Sequence, residues 1–343
     1  MKLWEKILTK LKFISLIIFL IVLINSSLFI GNYEISYNEY FLFLKKLIGL
    51  ESSISLEKYD TLKSVIFDIR LPRIIAAVLI GSSLAISGTA FQAMFVNPLV
   101  SPGILGVLSG ASFGAALGMI MGWSWFFINL STFIFGLIAV LFALLISFIY
   151  SSAKNMIILV LGGIISSSLF SALLSIVKYA ADPYDALPAI TYWLMGSLAF
   201  STSNVVWNLS IPLVLGMLIL IFLSKYLNAL SLGDEEAKAL GVDTKKIKII
   251  VILTATFLSA LSVILAGIIG WIGLIIPHIA RLLFGACNKV IIPISALLGA
   301  IFLLVVDNTS RMIFSFEIPI GIVTAIIGIP IFILVLKNAK RGF

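Results

Sequence analysis

Charge is what this 343-residue sequence has least of: 11% of its residues are Asp, Glu, Lys or Arg, where an average soluble domain carries about 25%. With 61% hydrophobic residues and a mean hydropathy of +1.21, a water-soluble fold is excluded. Cysteine is almost absent as well. The lone Cys287 rules out a disulfide framework, and a single histidine, His278, beside it argues against a zinc site or a Cys/His catalytic dyad. No G-x-x-x-x-G-K-[ST] stretch occurs, so the chain has no phosphate loop of its own for ATP.

What is present is a series of uncharged runs. No Asp, Glu, Lys, Arg or His occurs in 13–33, 74–153, 155–177, 186–224, 249–277, 290–306 or 318–336. A helix needs about 20 apolar residues to cross a bilayer, so the 80-residue run 74–153 holds three crossings. Its breaks fall at Asn97-Pro98 to Ser101-Pro102-Gly103 and at Gly122-Trp123. The spans are expected at about 13–31, 72–95, 103–122, 126–150, 156–178, 208–227, 248–268, 271–285, 291–310 and 319–337. The fold class is therefore an all-α integral membrane protein of about ten transmembrane helices, with residues 1–343 forming one domain.

Ten spans place both termini on one side. With cytoplasmic termini, 15 Lys/Arg and five acids lie inside, against eight Lys/Arg and ten acids outside, as the positive-inside rule requires. The net charge of +8 is thus a membrane signature rather than a nucleic-acid one. The first apolar run lacks an A-x-A-like cleavage site and reads as an uncleaved span. Residues 32–69 form an external segment whose amphipathic stretch at 40–50 is expected to lie on the outer surface. Residues 182–206 read as a re-entrant or short external helix, and 228–247 as the largest cytoplasmic loop.

Several residue sets bear on chemistry. Gly106, Gly110, Gly114 and Gly118 recur every fourth position, a stripe that lets a neighbouring backbone approach closely. Ser166, Ser167, Ser168, Ser171 and Ser175 give the fifth span a small polar face, suited equally to a water-filled path or to bonding with neighbouring helices. In the inner loop, Leu232, Gly233, Asp234, Glu235, Glu236, Ala237, Leu240 and Gly241 describe a short helix bounded by glycines. Acids occupy its first turn, and Ala237 and Leu240 are expected on one apolar edge. Such a helix either docks into a groove on a soluble partner or is a solvated connector. Arg70, Arg73 and Arg311 stand at outer span ends, where guanidinium groups snorkel to headgroups or pair with a partner's carboxylates. His278, Arg281, Asp307 and Arg311 all lie near span ends. The middle of the membrane then lacks the ionisable group that a proton-coupled carrier keeps there.

Taken together, these pieces resemble the permease family of ATP-driven importers for iron–siderophore complexes, haem and vitamin B12, the FecCD family. The resemblance covers nearly the whole chain. It is carried by Asp68-Ile69-Arg70-Leu71-Pro72-Arg73 and by 88–106, which matches the pattern G-x-x-x-Q-x-x-x-x-N-P-L-A-x-P-x-x-L-G except that Val100 replaces the usual Ala. It continues with Trp193-Leu194-Met195-Gly196, the 232–241 loop, 270–278 with Trp271 where Phe is common, and Glu317-Ile318-Pro319-Ile320-Gly321.

The resemblance implies a bundle like that of the vitamin B12 importer's permease, located in the cytoplasmic (inner) membrane of a prokaryote. It implies partners: a second copy or sister permease, two cytoplasmic ATP-binding subunits and an external substrate-binding protein. The 232–241 helix would be the element held by the ATPase, and Arg70, Arg73 and Arg311 would meet acids on the binding protein. Ser167, Ser168, Ser171 and Gly321 would line the path, with Asn155 as a gate. No cofactor is bound directly; ATP and Mg belong to the partner ATPase. The expected function is import of an iron-chelate-type substrate, siderophore, haem or cobalamin, with no reaction catalysed by this chain. Molybdate-type oxyanions use similar permeases. The alternative is an ion-gradient-driven secondary transporter; an intramembrane enzyme would need paired catalytic groups that the sequence lacks.

Overall fold

A computed structural model of the protein describes residues 2–150, 156–314 and 316–339, and every regular element among them is helical. In lipid this is forced: with no water to bond the backbone, each apolar run must satisfy its N–H and C=O groups internally. The first crossing is α1 (Lys2–Ser27), followed outside by α2 (Tyr37–Leu47) and α3 (Leu56–Lys63). Next come α4 (Leu71–Phe95), α5 (Val107–Ile120), α6 (Trp125–Tyr150), α7 (Met156–Ala180) and the short α8 (Ala186–Leu194). The chain ends with α9 (Ser203–Leu230), α10 (Asp234–Ala239), α11 (Thr244–Ala266), α12 (Ile272–Phe284), α13 (Asn288–Met312) and α14 (Ile320–Ala339).

Each of the ten expected spans has its helix, but they are of two kinds. Seven of the described helical segments are long and apolar enough to cross a membrane; α5, α12 and α14 are shorter. The short ones mark where the bundle departs from simple up-and-down crossing.

The pillar is α4, with 21 of its 25 residues buried and α9, α11, α12 and α13 packed around it. Lipid tails are as apolar as leucine, so helices here gain by close packing and polar contacts rather than by hiding apolar surface. The α4–α13 pair displays this. A Cβ on Gly81 would lie 2.2 Å from the Gly299 carbonyl oxygen, and a Cβ on Gly299 would lie 2.2 Å from that of Gly81. On either side of this crossing, Arg73 pairs with Asp307 and the Thr89 hydroxyl donates to Ser295 Oγ at 2.8 Å. One residue number rises as the other falls, the register of an antiparallel pair.

A second close approach decides where α12 starts. A Cβ on Gly88 would stand 2.0 Å from the Gly273 carbonyl oxygen, so α12 begins about 25 Å along α4 from Leu71, at 1.5 Å per residue. Residues 267–271 therefore run as irregular backbone inside the bundle, with Trp271 at φ 70°. Non-helical chain at this depth is tolerated where protein buries it or where it lines a cavity.

Local sequence explains other details. Pro72 has no N–H and its ring crowds the carbonyl four residues back. The turn before it widens into a π segment, Ser64–Arg70, in which the Leu71 N–H reaches the Ile66 carbonyl. Outside, Ser36 and Glu39 form a capping box at α2, and Phe43 is buried with Ile35, Leu62 and Ile66. The amphipathic stretch expected on the outer surface is α2, but part of its apolar face is spent on this small external core. Lys58 bonds Glu39 at 2.9 Å and holds its carboxyl below the ordinary glutamate value.

The glycine stripe needs one correction. Gly110 and Gly114 meet backbone oxygens of Phe135 and Ser131 on α6, and Gly118 meets Ile128. Gly106 is not on that stripe. It sits at φ 89° between a 3-10 turn, Pro102–Leu105, and α5, facing Ser166 and Ser167 of α7. The Ser101-Pro102-Gly103 turn delays α5, which leaves Gly106 as its cap.

The crossings predict a sharp contrast. Gly81→Ala and Gly88→Ala should each lower the thermal stability of the detergent-purified protein, by about 1–3 kcal/mol or more as overpacking against rigid backbone does. Gly270→Ala, where a Cβ would meet nothing within 4 Å, should leave it unchanged. Equal melting of all three would contradict this packing.

Candidate functional site

At one end of the bundle, the π turn, the start of α4 and the end of α13 bring three arginines together. Arg70, Arg73 and Arg311 are only 3%, 7% and 7% exposed. Arg73 Nε bonds Asp307 Oδ1 at 2.8 Å, and its Nη1 takes both oxygens of Glu317 at 2.8 and 2.9 Å. Arg311 Nη2 lies 2.9 Å from Asp307 Oδ2 and donates to Asn308, while its Nη1 donates to the Ile30 carbonyl. Arg70 donates to the carbonyls of Leu28 and Tyr33.

These guanidinium groups were expected to snorkel to headgroups or to pair with a partner's carboxylates; instead they are buried, and Arg73 and Arg311 pair with carboxylates of this chain. A buried charge is tolerated only when paired and hydrogen-bonded, and the chain supplies the partners itself. The supply is incomplete: three guanidinium groups face two carboxylates, and Arg73 Nη2 and Arg311 Nε have no hydrogen-bond partner among the described residues. The cluster carries one surplus positive charge, and Glu317, whose side chain is 30% exposed, is its outlet to water. Sequence reasoning placed Asp307 near a span end and Glu317 in a motif stretch but joined neither to the arginines. The signal was available in the i, i+4 spacing of Asp307 and Arg311 on one helix face.

Next to this cluster three stretches converge that are far apart in sequence. The Ser197 N–H donates to Ala266 O at 2.9 Å, Ile320 N–H to Gly196 O at 2.8 Å and Gly321 N–H to Met195 O at 3.1 Å. Side chains would not fit between them. A Cβ on Gly267 would lie 2.3 Å from Trp193 O, one on Gly196 2.6 Å from Ile268 O, and one on Gly321 2.4 Å from Met195 O. Gly196 and Gly267 also hold positive φ, where glycine alone is unstrained. The junction thus ties the chain after α8, the irregular 267–271 segment and the start of α14 into one unit. Beside it opens a cavity of about 400 Å3 bounded by Leu194, Trp271, Gly321 and Ile326.

The serine face of α7 divides. Ser166 is buried and donates to Ala139 O at 2.6 Å, and Ser167 is half-buried. Ser168, Ser171 and Ser175 are exposed, with Ser171 reaching Ser109 Oγ at 3.4 Å. Asn155 lies outside the described residues. His278 is buried, bonded to Leu274 O at 2.9 Å, and packed edge-on against Phe332, the arrangement of a packed core histidine. Arg281 donates to Gln92 Oε1 at 2.6 Å, linking α12 to α4.

At the opposite end of the bundle, α10 is a single compact turn region. Gly233 opens it at φ 121°. Gly241 closes it at φ 78°, with Val242 N–H on Ala237 O and Gly241 N–H on Lys238 O, a Schellman closure. Asp234 is anchored to Lys248 of α11 at 2.5 Å. Ala237 and Leu240 do not share an edge: Ala237 is fully buried, whereas Leu240 and Leu232 are 64% and 65% exposed. A helix this short turns too little to align them, because Leu240 already belongs to its cap.

Comparison with known proteins agrees along the length of the chain. The model of the FecCD transport family matches residues 18–338. The molybdate import system permease of Haemophilus influenzae is 40% identical over 328 residues, 96% of both chains. An iron chelatin transport permease of Helicobacter pylori is 38% identical over 83% of this chain and 86% of its own. Among solved structures, a metal-chelate type ABC transporter in an inward-facing conformation superimposes with a TM-score of 0.83 at 38% identity, covering 95% of this chain and 98% of that one.

The ion cluster makes an ordered prediction. Asp307→Asn strands two buried guanidinium groups and should cost about 3–5 kcal/mol, read as a fall in melting temperature. Glu317→Gln, at the water-facing edge, should cost about 1 kcal/mol or less. A larger loss from Glu317→Gln would overturn the assignment of Asp307 as the hub.

Proposed function

The chain belongs to the FecCD transport family and is a multi-pass permease of the ABC-importer kind, and from that premise we propose how it works. It sits in the inner membrane of a prokaryote with both termini cytoplasmic. It pairs with a second copy or a sister permease to enclose the translocation path. Two cytoplasmic ATPases, which hold ATP and Mg, drive it, and an external binding protein delivers a metal chelate of the iron-siderophore, haem or cobalamin class.

The observation that carries this reading is the open serine face of α7. Ser168, Ser171 and Ser175 are exposed; Ser171 reaches Ser109 and Ser175 back-bonds to the Ser171 carbonyl, which leaves small side chains on one open face that a facing subunit turns into the wall of a weakly polar path. Gly321 and the cavity beside it supply the outer part of that wall. Broken helices with irregular backbone mark binding sites in membrane carriers, and the α11–α12 break opens on this cavity.

Docking works through the surplus charge of the arginine cluster. A carboxylate from the binding protein is attracted by the surplus charge at the water-facing edge beside Glu317, without any arginine standing free. Inside, Leu232 and Leu240 are the apolar anchors offered to the ATPase, while Ala237 and the Lys248–Asp234 pair fix α10 to the spans, so movement of the ATPase reaches α9 and α11. Binding energy that differs between two arrangements is what shifts such an equilibrium.

A gradient-driven carrier fits less well. Asp307, a fully buried acid, is ion-paired with two arginines near the helix ends, and that pairing holds it in the charged form rather than leaving it to shuttle protons.

Two experiments test the reading. Co-purification with neighbouring gene products should yield a bound ATPase whose hydrolysis rises on adding the binding protein loaded with a ferric chelate; stimulation by molybdate-loaded protein instead would replace the cargo, and no bound ATPase would remove the importer reading. Leu240→Asp should reduce ATPase retention about tenfold, the loss of one apolar anchor, while the permease elutes normally. Undiminished retention would count against α10 as the contact.

A further inference from the structure

Between the inner ends of α6, α7 and α11 the surface opens into a groove of about 670 Å3, within the range of about 300–1,000 Å3 typical of small-ligand pockets. Its walls are apolar, built from Leu145 and Phe148 of α6 and Ile252 and Leu253 of α11. Leu145, Phe148 and Leu253 are exposed, so the groove opens sideways, toward lipid, from two helices long and apolar enough to cross a membrane. At one end stand Lys245 and Lys248. Lys245 forms no ion pair or hydrogen bond among the described residues. Lys248 is largely buried and ion-paired with Asp234, to which it gives one N–H; an ammonium carries three donors, so Lys245 supplies the uncompensated charge and Lys248 a further N–H.

We propose that this groove binds an anionic phospholipid of the inner leaflet, one acyl chain lying along the leucines and the phosphate bridging Lys245 and Lys248. The pairing of an apolar trough with a basic end matches that amphiphile. A soluble subunit reaches the lysine end but not the trough. A phosphate on Lys248 also touches the residue that anchors α10, so the bound lipid braces the inner loop against α11. A lysine beside an anionic headgroup contributes roughly 1 kcal/mol, about fivefold in affinity.

The test is native mass spectrometry of the intact purified complex, delipidated and then equilibrated with phosphatidylglycerol or phosphatidylcholine of matched chains. Wild-type protein is expected to retain phosphatidylglycerol preferentially. Lys245→Gln should cut that preference about fivefold while keeping phosphatidylcholine retention and elution volume unchanged, which reports an intact fold. Leu253→Trp, which fills the trough, should lower retention of both lipids. Equal retention of the two lipids by wild type, an unchanged preference in Lys245→Gln, or binding of inorganic phosphate as tight as that of phosphatidylglycerol would overturn the proposal. So would a crosslink from Leu145 to a protein subunit.

Discussion

The structure turns on the absence of side chains where other helices cross α4. At Gly81–Gly299 and Gly88–Gly273 the backbones approach so closely that a single added carbon would overlap a carbonyl oxygen. The first contact sets the register of α13, and with it the meeting of Arg73 and Asp307. The second sets the depth at which α12 begins, and hence the irregular 267–271 segment and the cavity beside Gly321. In a bilayer, where burial of apolar surface gives helices no preference among partners, such contacts decide the arrangement.

Electrostatics builds on that frame at each end of the bundle. At one end, burial forces the arginines onto internal carboxylates and carbonyls, yet leaves one positive charge in excess beside a partly exposed glutamate. At the other, the Lys248–Asp234 pair makes a six-residue helix a rigid appendage of α9 and α11 rather than a loose connector. Both ends are thus stiffly joined to the same pillar, the mechanical condition for a signal at one to be felt at the other.

The spans were legible in the sequence because an uncharged run of about 20 residues has few other uses, and the positions of α1, α4, α6, α7, α9, α11 and α13 follow from it. The break before α12 was legible too, since the expected spans 248–268 and 271–285 lie within two residues of its observed edges; what was not legible is the depth at which α12 starts, which only the contact between Gly88 and Gly273, far apart in sequence, reveals. Gly106 looked like part of a stripe because spacing was read as if α5 began at residue 103. The arginines were recognised as a group, but their burial depends on Asp307 and Glu317, which lie more than 230 residues away from Arg73. Likewise, motif stretches 193–196, 270–278 and 317–321 were visible singly, and their union at one junction is a product of tertiary packing.

The central claim is that transport through this chain is powered by ATP on a partner subunit and not by an ion gradient. The most direct measurement is uptake of the loaded binding protein's ligand into proteoliposomes containing the purified complex, with ATP on the ATPase side and ion gradients collapsed by ionophores. The account predicts accumulation that requires ATP and persists without any gradient. Uptake that follows a proton or sodium gradient in the absence of ATP would contradict it.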